Sequence, residues 1–98
     1  MKKINKLHET KGEGLELVMF TLPLCGPCKM MKSGLNNINK HRSDVLLYEI
    51  DADESPAEAH SLGIQSTPTL IILKEGEEVE RTVGFRPLPQ ILSTLESL

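Results

Sequence analysis

The sequence has no tryptophan, and Phe20, Tyr48 and Phe85 are its only aromatic side chains, so whatever core it builds is aliphatic. It has only two cysteines, Cys25 and Cys28. A bond between them would close a loop too short to constrain the unfolded chain, so global stability is not their purpose. Basic residues are not in excess: the formal net charge is -3, which argues against a nucleic-acid binder with its basic face. No segment approaches the ~20 apolar residues that span a bilayer, which argues against a membrane protein. Lys2, Lys3 and Lys6 are not followed by the apolar run of about 7–15 residues that marks a secretory signal. The expected compartment is therefore the cytoplasm, where paired cysteines more often do chemistry or bind metal than hold a fold.

What is present suits one soluble domain, residues 1–98, with 39% hydrophobic and 26% charged residues and no repeats or linkers. Strand and helix signals alternate. Leu15 to Leu22 is an apolar run stopped by Pro23 and reads as a buried strand. Cys28, Met31, Leu35 and Ile38 recur at three- and four-residue steps, predicting a helix that opens at the cysteines and ends near His41. Gly34 lies within it at about 1 kcal/mol relative to Ala, so a bend there is allowed. Val45 to Ile50 is a second strand. Ser55-Pro56-Ala57-Glu58 has the form of a capping box with proline at the first helical position, and Gly63 is placed to end that helix. Thr69 to Lys74 and Val79 to Val83 flank Glu75-Gly76-Glu77 as a hairpin. A last helix presents Leu88, Ile91, Leu92, Leu95 and Leu98 on one face. At the start, Ile4 and Leu7 fit either an edge strand or one helical turn. A β-α-β crossover followed by a hairpin implies an α/β fold, a mixed four- to five-stranded sheet with helices on both faces.

The dithiol sits where a strand gives way to a helix. First-turn N–H groups have no intrahelical partner, and the helix dipole favours negative charge there. A thiolate at that point is stabilised, and the thiolate is the nucleophile of thiol–disulfide exchange. Cys25, at the exposed end, is the candidate nucleophile, and Cys28, one turn further in, the candidate resolving thiol. Gly26 leaves room for a substrate chain, and Pro27 fixes the backbone at the helix start. Two other readings stay open on these residues alone. The cysteines could be an ordinary buried pair, or half of a metal site completed across a dimer. One chain does not offer the usual four ligands, since His8, His41 and His60 show no paired spacing. Met30 and Met31 read as packing residues, and Phe85 as core or groove rim. Asp51, Asp53 and Glu54 read as a solvated stretch.

Cys25-Gly26-Pro27-Cys28, followed by Lys29 and Met30, resembles the active-site run of the thioredoxin family. A second mark is Thr67-Pro68, within Gly63-Ile64-Gln65-Ser66-Thr67-Pro68-Thr69-Leu70. A third is Gly84, after the last strand. The resemblance covers residues 15–98. It implies a thioredoxin-like fold with a shortened N-terminal strand–helix unit and a cis Thr67–Pro68 bond beside the dithiol. It also implies a surface kept open at Gly84. Three positions depart from the family pattern. Leu24 stands where a tryptophan is usual, Met19 where a buried aspartate helps deprotonate the second cysteine, and Leu47 where a buried lysine is usual. Without that aspartate, the Cys28 proton must leave by another route.

The resemblance thus implies a protein-disulfide reductase acting through a mixed disulfide, with Cys25 and Cys28 as the redox pair. Leu24, Gly26, Pro27, Thr67, Pro68 and Gly84 would face the substrate. No metal or cofactor is implied. The partners would be disulfide-containing proteins and a thioredoxin reductase or other dithiol donor, with no nucleic acid or membrane, and the protein would act as a monomer. The competing reading, favoured somewhat by Met19 and Leu24, is a partner-binding module of the same fold whose dithiol is a redox sensor.

Overall fold

The computed structural model describes all 98 residues. Five strands, β1 (Lys2–Lys3), β2 (Leu15–Thr21), β3 (Leu46–Asp51), β4 (Thr69–Lys74) and β5 (Glu77–Val83), form one sheet in the order β1-β3-β2-β4-β5. Three helices accompany it: α1 (Gly26–Leu35), α2 (Pro56–Ser61) and α3 (Leu88–Glu96). β2 runs parallel to β3 and antiparallel to β4, and β1 joins β3 in parallel. The sheet is therefore mixed, as the β-α-β crossover and hairpin required.

Because strand side chains alternate, β2 serves two cores. Leu17 and Met19 join Leu70 and Ile72 of β4 under α1 and α3, meeting Met31, Leu35, Ile91 and Leu95. Val18 and Phe20 face the other way, with Ile50, Ile71 and Leu73, against Ala59 of α2 and the N-terminal Ile4. The apolar periodicity of α1 holds: Cys28, Met31, Leu35 and Ile38 are all buried. Met30 is not a packing residue, for it points off that face and is 63% exposed.

The helix ends earlier than its periodicity predicts. Asn36 and Asn37, weak helix formers, close α1 with N–H bonds to the carbonyls of Lys32 and Gly34. A separate 3-10 turn over Ile38–Lys40 then keeps Ile38 on the core side, so the apolar pattern runs past the helix. Gly34 lies where α3 comes close: a Cβ there would sit 3.8 Å from that of Leu88. Leu98 falls beyond α3 and is partly exposed rather than on its buried face.

Two further expectations meet local competition. Ser55 and Glu58 do not form a capping box, and α2 has no side-chain cap. Glu58 instead accepts the N–H of Leu7 at 2.6 Å, tying a 3-10 turn over Leu7–Glu9 to α2. The N-terminal segment is thus a two-residue strand and one turn, which is the shortened unit that was anticipated. In the hairpin, β5 begins at Glu77 rather than Val79. Its two-residue turn, Glu75-Gly76, has φ of 52° and 83°, the positive pair that a type I′ turn demands.

At the sheet end away from the cysteines, Glu16 is fully buried. Its carboxylate accepts the N–H groups of Lys11 and Gly12, each at 2.9 Å, and the Tyr48 hydroxyl at 2.7 Å. A buried charge is tolerable only when satisfied in this way. Glu16→Ala would leave the Gly12 N–H and the Tyr48 hydroxyl without their acceptor, while the Lys11 N–H keeps the Tyr48 oxygen at 3.0 Å. It is expected to lower stability by about 2–3 kcal/mol in urea unfolding, and a loss below about 0.5 kcal/mol would show that the loop is held by something else. Burial pushes the Tyr48 phenol above its ordinary value, and the neighbouring Glu16 pushes it the same way. The stability this contributes is complete below the unfolded tyrosine value of about 10 and is lost as pH rises through the higher folded value. Unfolding free energy measured along an alkaline series should fall less steeply in Tyr48→Phe than in the parent.

Candidate active site

The end of β2 delivers the chain through Leu22-Pro23-Leu24 to Cys25, which is the N-cap of α1. The cap bond is made by sulfur. Cys28 donates its backbone N–H to Cys25 Sγ at 3.2 Å, so the sulfur occupies the position in which serine or aspartate oxygen usually caps a helix. Pro27 stands in the first turn, where its missing N–H leaves no bond unmade. Cys25 and Cys28 form a disulfide, with Cα atoms 5.2 Å apart.

Cys25 is less exposed than its place at the loop suggests. It retains 9% of its accessible surface, against 3% for Cys28, so the order anticipated for the two sulfurs holds while the first is still largely covered. The cover comes from Thr67 and its surroundings. The Thr67 hydroxyl donates to Cys25 Sγ at 3.6 Å, and the Thr67 carbonyl oxygen lies 3.8 Å from the same sulfur. The Thr67–Pro68 peptide is cis. Pro68 is buried, and its carbonyl accepts the N–H of Gly84 at 2.8 Å, which draws Gly84 to the same end of the sheet. Gly84 has φ of 88°, a conformation that side-chain-bearing residues avoid. A Cβ there would meet nothing within 4 Å, so glycine is needed for its backbone and not to avoid a clash.

The remaining predicted positions line this end. Leu24 is 98% exposed, Gly26 and Pro27 are exposed, and Phe85 is 40% exposed, on the rim rather than in the core. Met19 is wholly buried among apolar side chains, and Leu47 packs against the same cluster. Neither brings a polar group to the sulfurs.

A charged group nonetheless lines a recess with Cys28, one that sequence reading did not single out. Glu49 of β3 pairs in register with Met19, so the two side chains share the α1 face of the sheet. Its carboxylate accepts Lys32 Nζ at 2.9 Å and the Thr21 hydroxyl at 3.3 Å. Glu49, Lys32 and Thr21 line a recess of about 210 Å³ together with Cys28. The available signal was a glutamate at an inward position of a strand predicted to be buried. Lys32, four residues after Cys28 and so on the same helix face, was the other half of it.

The family model described as Thioredoxin matches residues 4–97. The chain belongs to the thioredoxin family. It is 45% identical over 77 residues to the thioredoxin of Bacillus subtilis (strain 168), covering 78% of this chain and 74% of that one. It is 41% identical over 85 residues to the thioredoxin of Listeria monocytogenes, covering 86% and 82%. Among solved structures, a mutant thioredoxin from Halobacterium salinarum NRC-1 superposes with a TM-score of 0.88 at 28% identity, over 98% of this chain and 88% of that one. The fold is thus thioredoxin-like, and the protein is a thiol–disulfide oxidoreductase with a redox-active disulfide. The partner-binding module is not favoured. Thioredoxins as a family act on disulfide substrates. No helix is long and apolar enough to cross a membrane.

Removing the Thr67 hydroxyl should be felt at the sulfur it touches. A donor to a thiolate favours the ionised form, so Thr67→Val is expected to move the reactivity of reduced Cys25 to higher pH. The pH dependence of iodoacetamide alkylation measures it. An unchanged profile would leave the Cys28 N–H as the thiolate's sole support.

Proposed function

We propose that the protein reduces disulfides in other proteins, with Cys25 as nucleophile and Cys28 as resolving thiol. The observation that carries this division is the N–H of Cys28 aimed at Cys25 Sγ in the first turn of α1. A free N–H and the positive end of the helix favour thiolate at Cys25, while Cys28 lies deeper. Cys25 thiolate attacks a substrate sulfur and releases the other. Cys28 then attacks Cys25 Sγ, the mixed disulfide breaks, and the Cys25–Cys28 disulfide seen here is the oxidised product.

Leu24, Gly26, Pro27, Thr67, Pro68 and Gly84 form the proposed substrate surface. An extended substrate segment would lie beside Thr67 and Pro68 and pair with backbone there, in the manner of strand addition. Leu24 offers an aliphatic contact beside the nucleophile. The 98 residues would work as one domain and as a monomer, in the cytoplasm, where a dithiol can be kept reduced. A thioredoxin reductase or another dithiol system would return the electrons in each cycle.

Reduction of insulin disulfides tests the activity, first with dithiothreitol and then with candidate reductases and NADPH. The parent should accelerate it, and Cys25→Ser should lose the acceleration. Cys28→Ser should accumulate a stable mixed disulfide, because no internal thiol remains to attack it. Limiting iodoacetamide should label Cys25 of the reduced parent first. Equal trapping by both serine variants, or preferential labelling of Cys28, would overturn the assignment.

A further inference from the structure

The resolving step needs Cys28 to lose a proton, and its sulfur is almost fully buried, which disfavours the thiolate. Met19 cannot accept that proton. The strand next to it carries a group that can. We propose that Glu49 is the proton acceptor for Cys28 during resolution of the mixed disulfide, an assignment that rests on the division of labour proposed above.

Three observations support it. Glu49 is the in-register neighbour of Met19 on the parallel strand, so its carboxylate stands on the same sheet face, one strand over. Cys28 and Glu49 line one recess of about 210 Å³, enough for a few water molecules at roughly 30 Å³ each, so a proton can pass by way of water. The carboxylate is also held in place, by Lys32 Nζ from α1 and the Thr21 hydroxyl from β2, with its side chain only 17% exposed. The other charged groups facing it are Lys29 of α1 and Asp51 of β3, both lining the recess. Lys3 of β1 is next to Glu49 in register but is engaged by Glu54.

The step balances as follows. Cys28 Sγ–H gives its proton to the Glu49 carboxylate through water. The thiolate attacks Cys25 Sγ. The Cys25–Cys28 bond forms as the bond between Cys25 and the substrate sulfur breaks. The substrate sulfur leaves with the electron pair and takes a proton from solvent, while Glu49 returns its proton to solvent. The protein dithiol is oxidised and the substrate disulfide reduced. Lys32 orients the acceptor, and its positive charge favours the developing thiolate.

Single-turnover reaction of the reduced protein with dithiobis-nitrobenzoate separates the two steps, since each releases one coloured thiolate. Glu49→Gln keeps the shape and removes the acceptor. It is expected to slow the second release roughly ten- to a hundredfold near neutral pH. The pH profile is the decisive readout. With the acceptor, the second step should be nearly flat between about pH 6 and about pH 8. Without it, the rate should climb about tenfold per pH unit, following the fraction of Cys28 already ionised. Glu54→Gln, which neutralises an exposed carboxylate away from the recess, should leave the flat profile in place. If Glu49→Gln does not fold, Glu49→Asp should keep the flat profile at a lower plateau, because the shorter arm holds the acceptor further off. A variant with the parent's rate and profile overturns the proposal, and so does one that only melts at lower temperature, since that would make Glu49 a structural ion-pair partner. Absence of the first release in the parent would overturn the division of labour itself, and this inference with it.

Discussion

The placement of β2 between a parallel and an antiparallel neighbour is the constraint on which the site depends. Its parallel bond to β3 and antiparallel bond to β4 leave no freedom in where its C-terminal end emerges. That end carries Cys25. The antiparallel partner begins at Thr69, immediately after the cis Thr67–Pro68 peptide, so the start of one strand and the end of the other meet. The parallel partner sets Glu49 beside Met19 in the same layer. A slip of one residue in either pairing would turn every side chain to the opposite face and scatter these groups. Aliphatic burial on both faces holds the register, since Leu17 and Met19 serve one core while Val18 and Phe20 serve the other.

The chemistry needs few residues because the backbone supplies so much of it. An N-cap sulfur receives an N–H that every helix start has to spare. The adjoining surface comes from main-chain atoms and small side chains at Thr67, Pro68 and Gly84. If substrates dock there, such a surface would discriminate little among them, because backbone contacts do not read substrate side chains. Selectivity would then fall to exposed side chains at the rim, among them the almost fully exposed Leu24.

The dithiol and the strand–helix order were legible because local constraints decide them. A strand stopped by proline, a proline at the first turn of a helix and an apolar three-four step each act over a few residues. The end of α1 was not legible, because Ile38 returns to the core side in a 3-10 turn and so extends the apolar pattern beyond the helix. The Ser55/Glu58 cap was legible as a pattern but lost to a distant competitor, the N–H of Leu7. Glu16 and Glu49 were hidden for a related reason. What makes a buried or half-buried carboxylate tolerable is its donors, and these come from a loop, from Tyr48 and from a lysine on α1, none of which the strand sequence shows.

The sheet borders carry a consequence for crowded solutions. β1 is two lysines long, too short to template another chain. β5, at the opposite border, is longer, but Glu77, Glu78, Glu80 and Arg81 crowd it, and its ladder is irregular at Ile72/Leu73. Short, charged and bulged borders are how sheets resist open-ended stacking into fibres. Both ends of the hydrogen-bonding ladder are therefore blunted against pairing with another chain.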